Sequence, residues 1–228
     1  MNRQRSEFHA PAEGTTHGVG RHCRFAVGVL ATLSRAALLE PGQCQIETWF
    51  DRATGSAHSL LHVGPACCVG EVELGRNVDR ERRAGTPSTT AFGPQVKWAV
   101  ALNDDWSASI VLSTTGRNRS PRYLGSTVVI PVTWRVGEPV LVHLNVGRDI
   151  RRADRDTYRG GGLALEWAPL ETCSFVAERF RDNGGNYWRT GARWALTSTS
   201  SVDLGRAGGV GGSALLWWTL GVNWAFAR

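Results

Sequence analysis

No run of about 20 apolar residues, the length a helix needs to cross a bilayer, occurs in this chain of 228 residues. Mean hydropathy is −0.22 and the apolar fraction is 42%, which excludes a bundle of membrane helices. Lysine is almost absent: Lys97 is the only one, so the net charge of +6 is carried by arginine. Nucleic-acid binding wants basic residues on one face with aromatics between them. Here they fall in Gly-rich connections and at alternate strand positions, which argues against a nucleic-acid partner. There is no P-loop, no dinucleotide fingerprint and no HExxH. Cys67 and Cys68 are adjacent, with no second pair at zinc-ligand spacing. No cofactor, no metal site and no catalytic set is therefore expected.

What the chain does have is a period of two. Along residues 214–226, Leu216, Trp218, Leu220, Val222, Trp224 and Phe226 share one face, opposed by Trp217, Thr219, Gly221, Asn223 and Ala225. Val96, Trp98, Val100 and Leu102 oppose Gln95, Lys97, Ala99 and Ala101 in the same way, and Val140, Val142, Leu144 and Val146 oppose Leu141, His143, Asn145 and Gly147. A strand with one greasy side and one mixed, charged side suits a wall between lipid and water, and only alternate residues need be apolar. The expected fold is all-β: an up-and-down antiparallel transmembrane β-barrel over residues 45–228, with about twelve strands and ten as the alternative. A secreted soluble sandwich is the competing architecture.

The twelve candidate strands are 45–53, 58–68, 71–78, 94–102, 106–115, 123–135, 139–148, 157–167, 172–180, 187–196, 200–206 and 214–226. Pro131 must remove a ladder hydrogen bond from the sixth. Short turns at 103–105, 136–138, 168–171 and 197–199 alternate with longer Arg/Gly/Asp-rich links at 79–93, 116–122, 148–156, 181–186 and 207–213. That rotation fits one end facing the periplasm and the other the outside. Trp106, Trp134, Trp167 and Trp194 lie beside short turns and Trp224 lies near the C-terminus. All five fall at one level as an aromatic girdle against outer-membrane lipids.

Residues 1–44 read as a disordered N-terminus followed by a signal-like segment. Basic Arg21, His22 and Arg24 precede an apolar stretch at 25–33, with small residues and a candidate cleavage point after Ala36. A buried helix is the alternative for that stretch. Cys23 would leave with the signal, and Cys44, Cys67, Cys68 and Cys173 remain. A hairpin turning at Gly55 and Ser56 sets Cys44 opposite Cys67, Ile46 opposite Pro65, Thr48 opposite Val63 and Phe50 opposite Leu61. Apolar partners meet in the same register, so a Cys44–Cys67 disulfide is expected, with Cys68 the partner if the register slips by one.

With the apolar face turned to lipid, the lumen receives Lys97, Arg135, His143, Glu166, Glu178, Arg189, Arg193 and Asp203, together with Glu47, Asp51, Glu71 and Glu73. Both signs are present, so this set can close into a salt-bridged plug or line a path for a small-molecule solute. A lipid-modifying enzyme would need a serine near His143, and the sequence places none there.

The segments 166–169 (Glu-Trp-Ala-Pro), 175–180 (Phe-Val-Ala-Glu-Arg-Phe), 191–194 (Gly-Ala-Arg-Trp) and 201–204 (Ser-Val-Asp-Leu) resemble the closing hairpins of bacterial outer-membrane transporter proteins, including those grouped with the meta-pathway of phenol degradation. The resemblance covers about residues 45–228. It implies an exported barrel that passes small hydrophobic or aromatic compounds, without a cofactor or well-defined catalytic residues. Barrels of this kind usually end on an aromatic, whereas here Ala227 and Arg228 follow Phe226.

Overall fold

A sheet whose two faces meet different surroundings can bury neither against a second layer, and closing it on itself removes its unpaired edges. The computed structural model describes residues 36–118, 122–152, 157–182, 185–211 and 215–227. The basic and apolar parts of the expected signal, with Cys23, lie outside the described residues. Twelve strands follow in order: β1 (Gln43–Ala53), β2 (Ser59–Val69), β3 (Val72–Arg82), β4 (Thr89–Ala101), β5 (Trp106–Arg117), β6 (Tyr123–Gly137), β7 (Val140–Arg151), β8 (Thr157–Leu170), β9 (Cys173–Asp182), β10 (Gly185–Ala195), β11 (Ser200–Gly209) and β12 (Leu216–Ala227). Each pairs antiparallel with the next, and β12 pairs with β1 to close the barrel. No helix occurs among the described residues.

Strand register decides which residues point in. In β1 and β2 the pairs are Cys44↔Cys67, Ile46↔Pro65, Thr48↔Val63 and Phe50↔Leu61, as the hairpin argument requires, and Cys44 and Cys67 are joined by a disulfide. The outer wall is apolar: Val96, Trp98, Leu112, Ile130, Leu144, Leu165, Leu220 and Val222 are each at least 39% exposed. A continuous apolar band this extensive needs an apolar solvent around it. Trp106, Trp134, Trp167, Trp194 and Trp224 lie on the same outer registers, between 38% and 54% exposed. Trp106 stacks on Trp134 with centroids 5.2 Å apart, and Trp167 stacks on Phe175 at 5.7 Å.

Pro131 faces the interior of β6 and is under 2% exposed. The β5–β6 ladder has no pair between Ala108↔Val132 and Val111↔Val129, the gap that a residue without an N–H imposes. The buried Ser109 hydroxyl beside that gap has no hydrogen-bond partner among the described residues.

Three expectations need correction. The link expected at 79–93 is only 83–88, because β3 runs on to Arg82 and β4 begins at Thr89. The extra length alternates charge with charge, Asp79 and Glu81 facing in and Arg80 and Arg82 facing out, a pattern invisible to a search for apolar periodicity. Glu71 occupies the turn between β2 and β3 and is exposed, so it does not line the lumen. The first strand, expected from residue 45, starts at Gln43, and the residues before it, from Ala36, are tied to the barrel interior.

Candidate functional site: the barrel interior

The inward registers of the two sides of the barrel carry different chemistry. On β3 to β8 they are mostly small or neutral: Gly75, Gly93, Ser113, Thr127, Gly147 and Gly162. Asn77 donates to Gln95 at 3.1 Å, and Thr127 donates to Asp149 at 2.6 Å. Several of these residues, including Asn77, Gln95, Ser113 and Thr127, remain partly accessible. On β1, β2, β9, β10 and β12 large inward side chains, Trp49, Leu60, His62, Phe180, Tyr187, Arg189 and Trp217, stand between small ones such as Gly64, Gly191 and Gly221 and are buried.

At the level nearer the loops that lie away from the termini, Ala53, Leu60, Phe180, Tyr187, Ala207 and Trp217 form a buried apolar cluster inside the barrel. Phe180 stacks on Tyr187 at 5.4 Å, and Tyr187 meets Trp217 edge-on at 5.7 Å. Gly162 makes room for this: a Cβ there would lie 2.5 Å from the Arg179 carbonyl oxygen and 2.7 Å from the Phe180 Cβ. Beside the cluster Trp49 stacks on His62 with centroids 3.6 Å apart. His62 Nδ1 lies 2.6 Å from Asp79 Oδ1, and the Thr219 hydroxyl donates to Asp51. Trp49, His62, Asp51, Trp217 and Thr219 are all at 0–1% exposure. A water-filled passage touching any of them would raise that figure, so this level of the interior is dry along the bulky wall.

Deeper in, Arg189 and Glu178 pair at 3.5 Å with both side chains at 0% exposure, and the guanidinium lies 5.6 Å from the Phe180 ring centroid. Toward the termini Arg193 holds Asp203 with two donated bonds of 2.7 and 3.0 Å, and Asn223 adds a third to the same carboxylate at 2.9 Å. Such bidentate, charge-assisted contacts fix geometry as well as charge.

On the opposite wall at this end, His143 Nε2 lies 3.1 Å from Glu166 Oε2, and its Nδ1 lies 3.0 Å from the Thr133 hydroxyl. Hydroxyl, imidazole and carboxylate in series is the connectivity of a nucleophile, base and orienting acid. His143 is 1% exposed, however, and Thr133 already accepts the Ala36 N–H at 3.1 Å. The series grips the chain's own backbone. Lys97 Nζ donates to the Ala37 carbonyl, and the Leu39 N–H donates to Glu73 Oε2 at 3.3 Å. The segment 36–42 therefore runs inside the terminal mouth, bonded to β3, β4 and β6, with Ala36 at 0% exposure.

Of the residues that the sequence suggested for the lumen, the structure buries Lys97, His143, Glu166, Glu178, Arg189 and Asp203, while Arg193 is half-buried. Arg135 is exposed at the terminal rim beside Leu141, as Glu71 is in its turn. His62, Asp79, Trp49 and Thr133 were not singled out from sequence. In β2 both faces carry apolar residues, and Asp79 fell in the presumed link, so no period-two signal marked that pair. No group of three or more His, Cys, Asp and Glu side chains suited to a metal occurs among the described residues.

Comparison with known proteins adds fold and family. A KdgM porin superposes with a TM-score of 0.66 at 9% identity, covering 80% of this chain and 99% of that one. The COG4313 outer membrane channel from Pseudomonas putida F1 gives 0.62 at 10% identity, with 83% and 97% covered. The outer membrane phospholipase A from Escherichia coli gives 0.53 at 11% identity, with 82% and 91% covered. At these identities the likeness is one of fold: a closed barrel of the outer-membrane kind. No curated protein sequence matches the chain. A family model matches residues 21–226, and the chain thus belongs to the family described as uncharacterised conserved protein UCP029691.

Proposed function

We propose that the chain is a bacterial outer-membrane barrel that binds small solutes in its interior or passes them without an energy source, and that this conformation is its closed form. The carrying observation is that hydrogen-bonding Asn77, Gln95, Ser113 and Thr127 on β3 to β6 remain partly accessible inside the barrel, while the bulky Trp49, His62, Arg189 and Trp217 on β1, β2, β10 and β12 are buried. The likeness in fold to the KdgM porin and to the P. putida channel supports this reading; a second structure of the KdgM porin is of its complex with disordered oligogalacturonate. The resemblance to the phenol-degradation barrels adds small aromatic compounds to the candidates, and the neutral amide and hydroxyl wall adds uncharged polar ones. Planar-bilayer recording with the refolded chain, paired with vesicle uptake of phenol and of a neutral sugar, tests it. A small steady conductance that rises when Trp49→Ala and Trp217→Ala are combined is expected. Zero current and zero uptake in both forms refute transport.

That refutation would leave the second reading, a structural barrel with a permanently filled interior. The observation favouring it is the 0–1% exposure of Trp49, His62, Arg189 and Trp217. A hydrolytic role for His143 has no such support, since no route to the imidazole is open in this conformation.

A further inference from the structure

The outward registers of the twelve strands are charged in one way only. Every Asp and Glu within a described strand, from Glu47 to Asp203, sits on an inward register. Arginines do face outward: Arg52, Arg80, Arg82, Arg148, Arg179 and Arg181 lie in the half of the wall away from the termini, each exposed. Two more lie over aromatic rings, Arg76 5.4 Å from the Phe92 centroid and Arg206 5.0 Å from that of Trp218. The other half of the outer wall has the tryptophan girdle and no outward charge on its described strands. A guanidinium on a bilayer-facing wall is costly without an anionic partner, and this belt has no acidic neighbour on its own face.

The belt also contains a built concavity. Arg80 and Arg82 line a cavity of about 440 Å³ on the outer wall between β1, β2 and β3. Ser59, Thr86 and Ser88 supply hydroxyls to it, and Phe50 and Leu61 supply an apolar side. Glu81, between the two arginines in sequence, faces inward and is engaged by His58 and Arg83 at 2.8 and 2.6 Å. Neither Arg80 nor Arg82 has an ion pair with a described residue.

We propose that this cavity binds a phosphorylated, acylated glycolipid of the outer leaflet. Arg80 and Arg82 hold a phosphate, the hydroxyl side chains meet the sugar, and an acyl chain lies along Phe50 and Leu61. Guanidinium groups match phosphate geometry with paired donors, and the apolar side continues into the band that faces the membrane. The proposal rests on the outer-membrane reading but not on transport.

Native mass spectrometry of the barrel refolded in neutral detergent tests it, with bisphosphorylated lipid A, the same lipid stripped of phosphate, and phosphatidylglycerol as probes. Retention of bisphosphorylated lipid A alone is expected. Combining Arg80→Gln with Arg82→Gln should weaken it by about tenfold or more, the scale of losing charge-assisted contacts, while Arg206→Gln should leave it unchanged. Thr86→Trp, which fills the cavity from a link and leaves every strand intact, should abolish it even if the double variant fails to fold. Equal retention of the dephosphorylated lipid or of phosphatidylglycerol overturns the proposal, as does retention by the Thr86 variant. A chain whose gel migration is heat-modifiable but which ignores lipid A removes this inference alone. A chain that never becomes heat-modifiable removes the membrane reading as well.

Discussion

Replacing Arg189 with Met probes whether the barrel interior is dry. Arg189 and Glu178 face each other across β10 and β9 at 3.5 Å, both fully enclosed. At that separation and an effective dielectric of about 20, their attraction is on the order of 5 kcal/mol. The expense of enclosing both charges offsets most of this in the intact pair. Arg189→Met removes the attraction and keeps the carboxylate's burial, so the barrel should lose about 3–5 kcal/mol. Methionine preserves the volume beside Phe180, which keeps a cavity out of the figure. Adding Glu178→Leu should recover part of the loss, because an apolar pair of similar bulk needs no countercharge, while the buried Asp51 still lacks the Arg189 charge it also feels. The measurement is equilibrium urea unfolding in lipid vesicles, followed by tryptophan fluorescence, for both single variants and the double, so that the coupling is separated from the individual losses. A loss below about 1 kcal/mol for Arg189→Met, the range of a solvated pair, would mean that water reaches Glu178. The packed wall described above would then be an open one.

Two further outcomes follow from the barrel wall. Cys44→Ser opens a link between residues 23 apart in sequence and should lower stability by about 3 kcal/mol; an unchanged urea midpoint with and without reductant would refute a disulfide contribution. Gly162→Ala pushes a Cβ to 2.5 Å from the Arg179 carbonyl oxygen, whereas at Gly160 the nearest atom is 3.7 Å away. Gly162→Ala should thus cost about 1–3 kcal/mol and Gly160→Ala under about 0.5, and equal losses in the same unfolding assay would contradict the close approach of Phe180.

Strand order, closure and the first hairpin's register were legible because each follows from alternation of apolar side chains over eight or more residues, a local signal. Phe50 and Leu61, for example, announce their face by themselves. The far end of β3 was not legible: Asp79 to Arg82 are all charged, and alternation between acid and base resembles a loop. Interior partners were hidden for a different reason. Thr133, His143 and Glu166 belong to three consecutive strands, and their contact depends on register, Thr133 opposite His143 beyond the bulge that β6 makes with β7 near Arg135. The segment 36–42 carries no periodicity, and its place is fixed by side chains far along the chain, Lys97 and Thr133 among them. Trp217 falls on the inward face by the alternation of β12, but that it and Trp49 are buried there follows only from closure of β12 on β1.

The meeting of the first and last strands bears on how anything could leave the interior. Where β1 meets β12, a full backbone ladder from Gln43↔Ala227 to Ala53↔Trp217 is reinforced on the inside by the Asp51–Thr219 bond and by Ala53 and Trp217 in the apolar cluster. Parting these strands would strip both the ladder and its inner lining at once, leaving bare amides in hydrocarbon. A sideways escape into the membrane at this junction is thereby disfavoured, which leaves the barrel axis as the easier way past this seam.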